Sequence, residues 1–283
     1  MRLDLEGLAG VSRRLGAEVG YIQGGGGNTS LKFDAGVLSI KASGIPLATV
    51  GAEAGFIALD APALRDGLRA CRDESDYGRL LQSCALNSRE TRRPSIESGF
   101  HALLGTCVIH THSVWINLLT CSREGRDLTR KVLPEALWVP YATPGLALTE
   151  AVRDTIGAGM PAVILLESHG VVISGPDPVA GFALHEEVNR RVIDHFGCAL
   201  PFPAPDSPAD EAGGQLLFPD QAIYTCDPEL SASRAGVETR HAVAFLLATQ
   251  RRLGLTPRFL DAQERDKLLN LESEKYRQKL VRA

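Results

Sequence analysis

The spacing of apolar residues predicts alternating helices and strands over residues 1–200. Near the N-terminus, Leu8, Val11 and Leu15 recur at helical spacing, which indicates an amphipathic helix. Two strand-forming runs, TSLKF and VLSIKAS, flank a turn at Asp34–Gly36 and predict a β-hairpin. Further strands are predicted in GTCVIHTHSV, WVPYATPG and PAVILLESHGVVISG, and helices in APALRDGLRACRDE, ESGFHALL, LTEAVRDTIGA and DPVAGFALHEEVNRRVIDHFG. This order predicts a mixed α/β, α+β-like layered domain.

The pattern changes in residues 201–283. The run CALPFPAPDSPADEAGGQLLFPD is rich in proline, glycine and aspartate and predicts a long surface connection. Beyond it, ETRHAVAFLLATQRRLG and LDAQERDKLLNLESEKYRQKLV predict two amphipathic helices, the second with a solvated, charged face. We therefore expect a catalytic domain in residues 1–200, followed by a Pro/Gly-rich connection and a helical extension without evident chemistry.

Composition and charge exclude several classes of function. The 283 residues are 44% hydrophobic and 23% charged, as in an ordinary globular protein. A net charge of −4 provides no basic surface for nucleic acid, although a phosphorylated small substrate stays open. No apolar run approaches the ~20 residues that cross a bilayer, and the N-terminus lacks the apolar stretch of a signal peptide. The six scattered cysteines contain no CxxC pair and are expected to be reduced thiols in a cytoplasmic protein.

The run QGGGGNTS is the first candidate for a binding site. It is not a dinucleotide-binding fingerprint, because strand-forming residues rather than a helix follow the last glycine. Either the run is a flexible turn, or its backbone N–H groups form a concave nest for a phosphate. Donors that the hairpin and a helix start would bring close favour the second alternative: Asn28, Ser43, Gly44 and Ser95.

Histidines in two separate segments are candidate metal ligands. Side chains at i and i+2 of a strand share a face, so His110 and His112 of CVIHTHSVW are placed to chelate one ion. His169, directly after the apolar run AVILLES, offers a third nitrogen, and catalytic zinc sites usually have three protein ligands. The alternative is that these histidines pack at strand ends and bond to neighbouring groups. The other histidines fall in predicted helices and are not expected to bind metal.

Glu97 lies just inside the helix that leads to the strand of His110. One interpretation is an acid that favours the first turn of a helix. The other is a carboxylate near the metal, with a pKa raised by partial desolvation into the range useful for general acid–base catalysis.

Six segments in order resemble the zinc-dependent class II aldolase/adducin family, which includes the fuculose-phosphate and rhamnulose-phosphate aldolases. They are GGGGNTS, LSIKASG, RPSIESGFH, VIHTHS, PYATPG and LLESHGVV. They cover most of residues 20–200, and the ordered set is far more specific than any one segment. The form of the glycine run and the downstream LFPDQAIY are most similar to the aldolase half of bifunctional rhamnulose-1-phosphate aldolase/alcohol dehydrogenases.

The resemblance implies a three-layer fold with a central mixed or antiparallel sheet flanked by helices. It also implies that Zn²⁺, or another divalent cation, is bound by His110, His112 and His169, with Glu97 as the acid/base. The residues implied to line the phosphate pocket are Gly27, Asn28, Ser43, Gly44 and Ser95. Family members form homotetramers with sites at subunit junctions, so Tyr141 is implied to act across an interface.

The implied reaction is reversible cleavage of a ketose 1-phosphate to dihydroxyacetone phosphate and an aldehyde, through a metal-stabilised enediolate that Glu97 protonates. The same scaffold also serves sugar-phosphate epimerases, dehydratases and decarboxylases, which the sequence does not separate from an aldolase. A non-catalytic, adducin-like binding module is a further alternative, and the three intact histidines argue against it.

Two positions depart from the family pattern. Ile96 stands where some members carry a second phosphate-binding serine, which leaves phosphate affinity and substrate identity open. Ser168 replaces the asparagine or histidine often found before the last ligand, and we expect this change to affect only the surroundings of the metal. Lys32 and Lys41, close to the glycine run, are expected to be solvated at the surface.

Overall fold

The computed structural model describes residues 2–33, 36–87, 92–197, 202 and 214–282. The strands are β1 Asn28–Phe33, β2 Val37–Lys41, β3 Phe56–Asp60, β4 Cys107–Thr111, β5 Leu137–Val139, β6 Val163–Leu166 and β7 Gly170–Gly175. The helices are α1 Arg2–Ala17, α2 Ala61–Gly67, α3 Glu74–Ser83, α4 Ser98–Leu103, α5 Val114–Thr120, α6 Gly125–Val132, α7 Leu146–Ile156, α8 Pro178–Phe196, α9 Pro219–Thr225, α10 Pro228–Ala232, α11 Arg234–Leu253, α12 Ala262–Asn270 and α13 Glu272–Arg282.

The strands form one mixed sheet in the order β3-β2-β1-β4-β7-β6-β5. All neighbours are antiparallel except β5 and β6, which are parallel. The predicted hairpin is confirmed, since β1 pairs with β2 and Ser30 lies opposite Ile40. The expected mixed α+β-like sheet with flanking helices is therefore confirmed.

Helices cover both faces of the sheet, as the alternation of side chains along β4 shows. Ile109 packs with α1 and α8 on one face, where Leu8 and Val188 belong to the same apolar cluster. Val108 points to the opposite face and packs with residues of α4 and α7, including Phe100 and Leu148. Because strand side chains alternate, His110 lies on the face of Val108.

The C-terminal helices pack on α5. In one apolar cluster, Val114 and Leu118 of α5 meet Phe218 and Phe245 from the extension. The end of the predicted surface connection is buried, since Leu216 is only 5% exposed. That part of the prediction is wrong, because apolar residues there join the core. Most of the predicted connection lies outside the described residues.

The last predicted helix is two helices, α12 and α13. The chain leaves helical geometry at Leu271, whose φ and ψ are −64° and 126°. No helix among the described residues is both long enough and apolar enough to span a lipid bilayer.

Candidate functional site

The structure brings the three predicted metal ligands together. His110 lies in β4, His112 follows the end of that strand, and His169 lies in the turn between β6 and β7. Because β4 and β7 are neighbours with Thr111 opposite Val171, the two segments meet at one end of the sheet. The imidazole centroids are 4.9 Å apart in each of the three pairs. One nitrogen from each ring lies within 4.8 Å of the others, which is compatible with a shared ion.

The two residues that flank His169 in the turn each meet a backbone constraint. Ser168 is the non-glycine residue with positive φ, 50°, in the described chain, a conformation that costs most side chains energy. Asparagine and histidine adopt this conformation more readily than most residues. On the other side, a Cβ on Gly170 would lie 2.2 Å from the backbone oxygen of Thr111. Glycine there permits the close approach of β4 and β7.

The second nitrogens of two of the histidines already have partners. His110 Nδ1 donates to the backbone oxygen of Val171 at 3.0 Å, and His112 Nδ1 lies 3.0 Å from Oδ2 of Asp220. The Nε2 atoms of His110 and His112 face each other at 3.1 Å. Burial lowers the pKa of His110 and lowers that of His169 to about 3, so both are neutral at pH 7. Neutral imidazoles with oriented Nε2 atoms fit a divalent cation such as Zn²⁺.

Glu97 lies at the same point as the histidines. Its two oxygens are 3.5 Å from Nε2 of His110 and 3.4 Å from Nε2 of His169. Asn28 Nδ2 donates to Oε2 of Glu97 at 2.5 Å and also reaches the hydroxyl of Ser95 at 3.3 Å. The carboxylate is therefore buried, oriented and directed at the histidine cluster.

The predicted increase in the pKa of Glu97 is wrong. Burial does act to raise this pKa, but the nearby imidazoles and the Asn28 amide outweigh burial and hold it at about 2. The sequence indicated the burial of the carboxyl group without indicating the polar groups that surround it. Glu97 is consequently ionised in the free site.

The residues expected to bind phosphate line one cavity together with Glu97, His112 and His169. They are Gly27, Asn28, Ser43, Gly44 and Ser95. Gly27 and Gly44 have positive φ values of 63° and 76°, so both glycines are required by the backbone conformation. The backbone N–H of Ser43 already donates to the oxygen of Arg93 at 2.8 Å, which leaves the Ser43 hydroxyl for a ligand.

Charged residues that the sequence did not predict also line this cavity. Lys41 is only 2% exposed and donates to the backbone oxygen of Ile45 at 2.7 Å, so the expectation of a solvated Lys41 is wrong. Burial lowers the pKa of Lys41 to about 7. Lys32, in contrast, bonds to backbone oxygens in the turn at Gly105 and is partly buried. From the sequence, lysines near a turn are expected to be exposed. In the structure, helices cover this end of the sheet.

The C-terminal extension supplies the remaining wall of the cavity. Asp220 from α9 and Glu274 and Arg277 from α13 all line it. Arg277 donates to Asp220 at 2.9 Å and to both oxygens of Glu274 at 3.1 and 2.9 Å. Leu280 packs over Gly44, where a Cβ would approach the leucine side chain to 2.2 Å. The extension therefore contributes charged groups to the site, contrary to the expectation that it carries no chemistry.

Asp220 is the site residue that sequence reasoning missed most clearly. It lies in the segment LFPDQAIY, which resembles the bifunctional enzymes, and that similarity was the signal that could have identified it. Burial acts to raise its pKa, but Arg277 and His112 hold the pKa of Asp220 far below the ordinary range. Asp220 is therefore an ionised acceptor beside a metal-ligand candidate.

Little free space remains in this cavity. It measures about 30 Å³, which is room for a couple of water molecules rather than a sugar phosphate. A second cavity of about 380 Å³ adjoins it and shares Ser43 and Ile96. This second cavity lies between α3 and the junction of α12 and α13, and its size falls in the range of small-ligand sites.

Tyr141 lies outside the cavity in this chain. Its hydroxyl donates to Oε1 of Glu264 in α12 at 2.9 Å, and Glu264 is itself buried. Burial raises the pKa of Tyr141 above its ordinary value. The expected action of Tyr141 across a subunit interface stays a prediction.

The chain is similar to known proteins across residues 6–192. The family model described as Class II Aldolase and Adducin N-terminal domain matches residues 6–192. A Bacillus subtilis protein named Uncharacterized oxidoreductase YuxG is 31% identical over 186 residues, which are 60% of this chain and 26% of that protein. The chain thus spans about a quarter of the length of this curated relative.

Two solved structures have a similar fold. The N-terminal class II aldolase domain of a conserved protein from Thermoplasma acidophilum is 26% identical, with a TM-score of 0.61, over 68% of this chain and 93% of that chain. YgbL from Klebsiella pneumoniae is 22% identical, with a TM-score of 0.52, over 69% of this chain and 90% of that chain. The family match, which extends over more than half of the residues, assigns this chain to the class II aldolase and adducin family.

Proposed function

We propose that the protein is a zinc-dependent, class II aldolase that cleaves a ketose 1-phosphate, of the rhamnulose or fuculose kind, to dihydroxyacetone phosphate and an aldehyde. The observation that carries this proposal is the convergence of three imidazoles on one point, with the Glu97 carboxylate beside them. Membership of a family that contains enzymes acting on sugar phosphates supports the reaction class. The similarity to a much longer protein named as an oxidoreductase accords with the narrower resemblance to bifunctional aldolase/dehydrogenases.

The metal would be held by His110, His112 and His169. A divalent cation bound there supplies Lewis acidity, which stabilises the negative charge that develops on the substrate oxygens by several kcal/mol. The protein contributes ligands whose orientation is fixed in advance. His110 donates its other nitrogen to Val171, and β4 and β7 hold the two ligand segments at a fixed spacing.

Glu97 would transfer the proton at the carbon next to the substrate carbonyl. Its ionised form accepts this proton in the direction of synthesis, and the same group returns it in the direction of cleavage. The hydrogen bond from Asn28 holds one carboxylate oxygen in place, so the proton-transfer group is oriented before the substrate arrives. Orientation of this kind lowers the entropic barrier to the reaction.

The phosphate would bind against the glycine run and the Ser43–Gly44 turn. Lys41 and Arg277 lie in the same lining and favour an anion there. Since the cavity measures about 30 Å³, we infer that α13 moves away from Gly44 when the substrate enters. The adjoining cavity of about 380 Å³ would then receive the part of the sugar that leaves as the aldehyde.

The proposal is tested with purified, zinc-loaded protein and a panel of ketose 1-phosphates. Release of dihydroxyacetone phosphate is followed by a coupled reduction that consumes NADH, and bound zinc is measured by elemental analysis. His112→Ala should bind no stoichiometric zinc and release no product while remaining folded. The matched control is His241→Ala, because His241 is exposed on α11 and does not line the cavity.

The possible results separate the alternatives. Product release by the wild type and the control, but not by His112→Ala, supports the aldolase. If the zinc-loaded wild type epimerises, dehydrates or decarboxylates a sugar phosphate without releasing dihydroxyacetone phosphate, the aldolase proposal is wrong and the metal site stands. Full activity of His112→Ala, or a wild type that binds no zinc, would contradict the metal site and favour an adducin-like binding module.

The homotetramer and the cytoplasmic location also stay predictions. Light scattering of the purified protein during size-exclusion chromatography measures the first directly. A tetramer in which Tyr141→Phe lowers kcat without changing zinc content would support action of Tyr141 across an interface, whereas an active monomer would exclude it.

A further inference from the structure

Asp220 contacts a metal-ligand candidate from outside the part of the chain that the family model covers. The model ends at residue 192, and Asp220 is the second residue of α9 in the extension. Its Oδ2 is 3.0 Å from Nδ1 of His112, and both side chains are almost completely buried, with 3% and 6% exposed. Oδ2 has no hydrogen bond of ordinary geometry among the described residues, although Nδ1 of His112 lies within hydrogen-bonding distance of it. His112 is therefore the sole available partner of that oxygen in the described chain.

The two ring nitrogens of His112 face different groups. Nε2 faces Nε2 of His110 at 3.1 Å, in the middle of the histidine cluster. Nδ1 faces away from the cluster, toward Asp220. A carboxylate can only accept a hydrogen bond, so its presence selects the tautomer with hydrogen on Nδ1 and the lone pair on Nε2. That tautomer is the one that binds a metal through Nε2.

The rest of the structure holds Asp220 in this position. Its other oxygen, Oδ1, accepts from Nη2 of Arg277 at 2.9 Å. Arg277 is held in turn by Glu274 and by the hydroxyl of Tyr224, the latter at 3.0 Å. The carboxylate is thus fixed at both ends.

The glycine run makes room for this contact. A Cβ on Gly26 would lie 2.5 Å from Oδ2 of Asp220 and 2.7 Å from Nδ1 of His112. Any larger residue would therefore separate the two side chains. The third glycine of QGGGGNTS serves the histidine–aspartate contact, in addition to any role of the run in binding phosphate.

We propose that Asp220 is a positioning residue that fixes the tautomer and ring orientation of His112, so that the extension takes part in building the metal site. This inference rests on the metal site of the proposed function, and it does not depend on which reaction that site catalyses. Groups that hold ligand imidazoles in this way typically affect metal affinity by 10–100-fold. His110 receives equivalent support from the backbone oxygen of Val171, whereas His112 depends on the extension.

Asp220→Asn is the sharpest variant because it keeps the size of the side chain and leaves one acceptor instead of two. With its oxygen toward Arg277, the introduced amide would direct a donor at His112 and favour the wrong tautomer. With its oxygen toward His112, the amide would direct that donor at the Arg277 guanidinium. Either orientation disturbs one of the two contacts.

The measured quantity is Zn²⁺ affinity, obtained by competition with a chromogenic chelator and without any substrate. We expect Asp220→Asn to bind Zn²⁺ 10–100-fold more weakly than the wild type. The matched control is Asp266→Asn, an exposed aspartate of α12 in the same extension, which should bind as the wild type does. Affinity of Asp220→Asn within twofold of the wild type would refute the inference.

A second measurement needs no variant and therefore does not depend on whether Asp220→Asn folds. Nitrogen-15 NMR of histidine-labelled, zinc-loaded wild type reports which nitrogen of His112 carries hydrogen. We expect hydrogen on Nδ1 and the metal on Nε2, and the opposite assignment would overturn the inference. Failure of these two measurements would leave the release of dihydroxyacetone phosphate by the wild type unaffected, so it can be told apart from failure of the proposed function.

Discussion

Replacing Gly170 with alanine tests whether the spacing of two strands sets the metal site. Gly170 begins β7 directly after His169, and a Cβ there would lie 2.2 Å from the backbone oxygen of Thr111. Ordinary non-bonded contacts lie near ~3.5 Å, so the methyl group must push β4 and β7 apart by roughly 1 Å. The obstacle is backbone rather than a flexible side chain, and both strands are held by neighbours on either side.

The expected effect on metal binding follows from this displacement. His169 would move by roughly 1 Å relative to His110 and His112, whereas metal–ligand distances tolerate about 0.2 Å. We expect the affinity for Zn²⁺ to fall by on the order of 100-fold. This is the upper end of the range for substitutions that displace a metal ligand without removing it. Overpacking should also lower the free energy of unfolding of the metal-free protein by about 1–3 kcal/mol.

Chelator competition and urea unfolding in EDTA measure the two quantities independently. Gly7→Ala is the matched control, since Gly7 lies in α1 and a Cβ there meets nothing within 4 Å. It should leave zinc affinity unchanged and, because alanine favours a helix, raise stability by up to about 1 kcal/mol. If Gly170→Ala folds and binds Zn²⁺ within threefold of the wild type, the close approach of the strands does not determine the site.

Three further substitutions test other parts of the structure. Glu97→Gln should retain zinc and lower kcat by about 10²–10⁴-fold, because it removes the proton-transfer group; an unchanged kcat would exclude that role. Burial lowers the pKa of Lys41 from 10.5 to about 7. Between these two pH values the unfolded chain binds more protons than the folded protein, so the free energy of unfolding increases with pH in this range. In Lys41→Met, the free energy of unfolding measured in urea should lose this part of its increase between pH 7 and pH 9. The same dependence on pH in the wild type and the variant would contradict this expectation. Ser168→Gly should raise the free energy of unfolding by about 1 kcal/mol, since it relieves a positive φ, and destabilisation would show that the serine is not strained.

Local sequence patterns predict much of the structure of residues 1–200. The hairpin of β1 and β2 follows from two strand-forming runs around a short turn, and the structure has it in the expected place. Proximity of His110 and His112 follows from their spacing alone, although β4 ends at Thr111, just before the second histidine. His169 was placed with them by its position after an apolar run and by similarity to the family.

The errors about the charged groups of the site concern what surrounds a side chain. Lys41 ends a strand near a turn, so it looked exposed, yet α13 buries it. The pKa of Glu97 was expected to rise with burial, but hydrogen bonding by Asn28 and the field of the imidazoles lower it. α13 and Asn28 both come from parts of the chain distant from the residues that they affect.

Periodicity and turn chemistry depend on residues a few positions apart. They predicted every strand except β3 and brought His110 and His112 together, but they missed helices α3, α5, α6, α9 and α10. The contact of Asp220 with His112, the cover that α13 forms over the cavity and the hydrogen bond from Asn28 to Glu97 depend on segments more than 60 residues apart in sequence. Such contacts arise because the apolar face of α11 must be buried against α5, and that of α9 against α11 and α12. The packing of these faces, which no local pattern specifies, brings the acidic and basic side chains of the extension to the histidines.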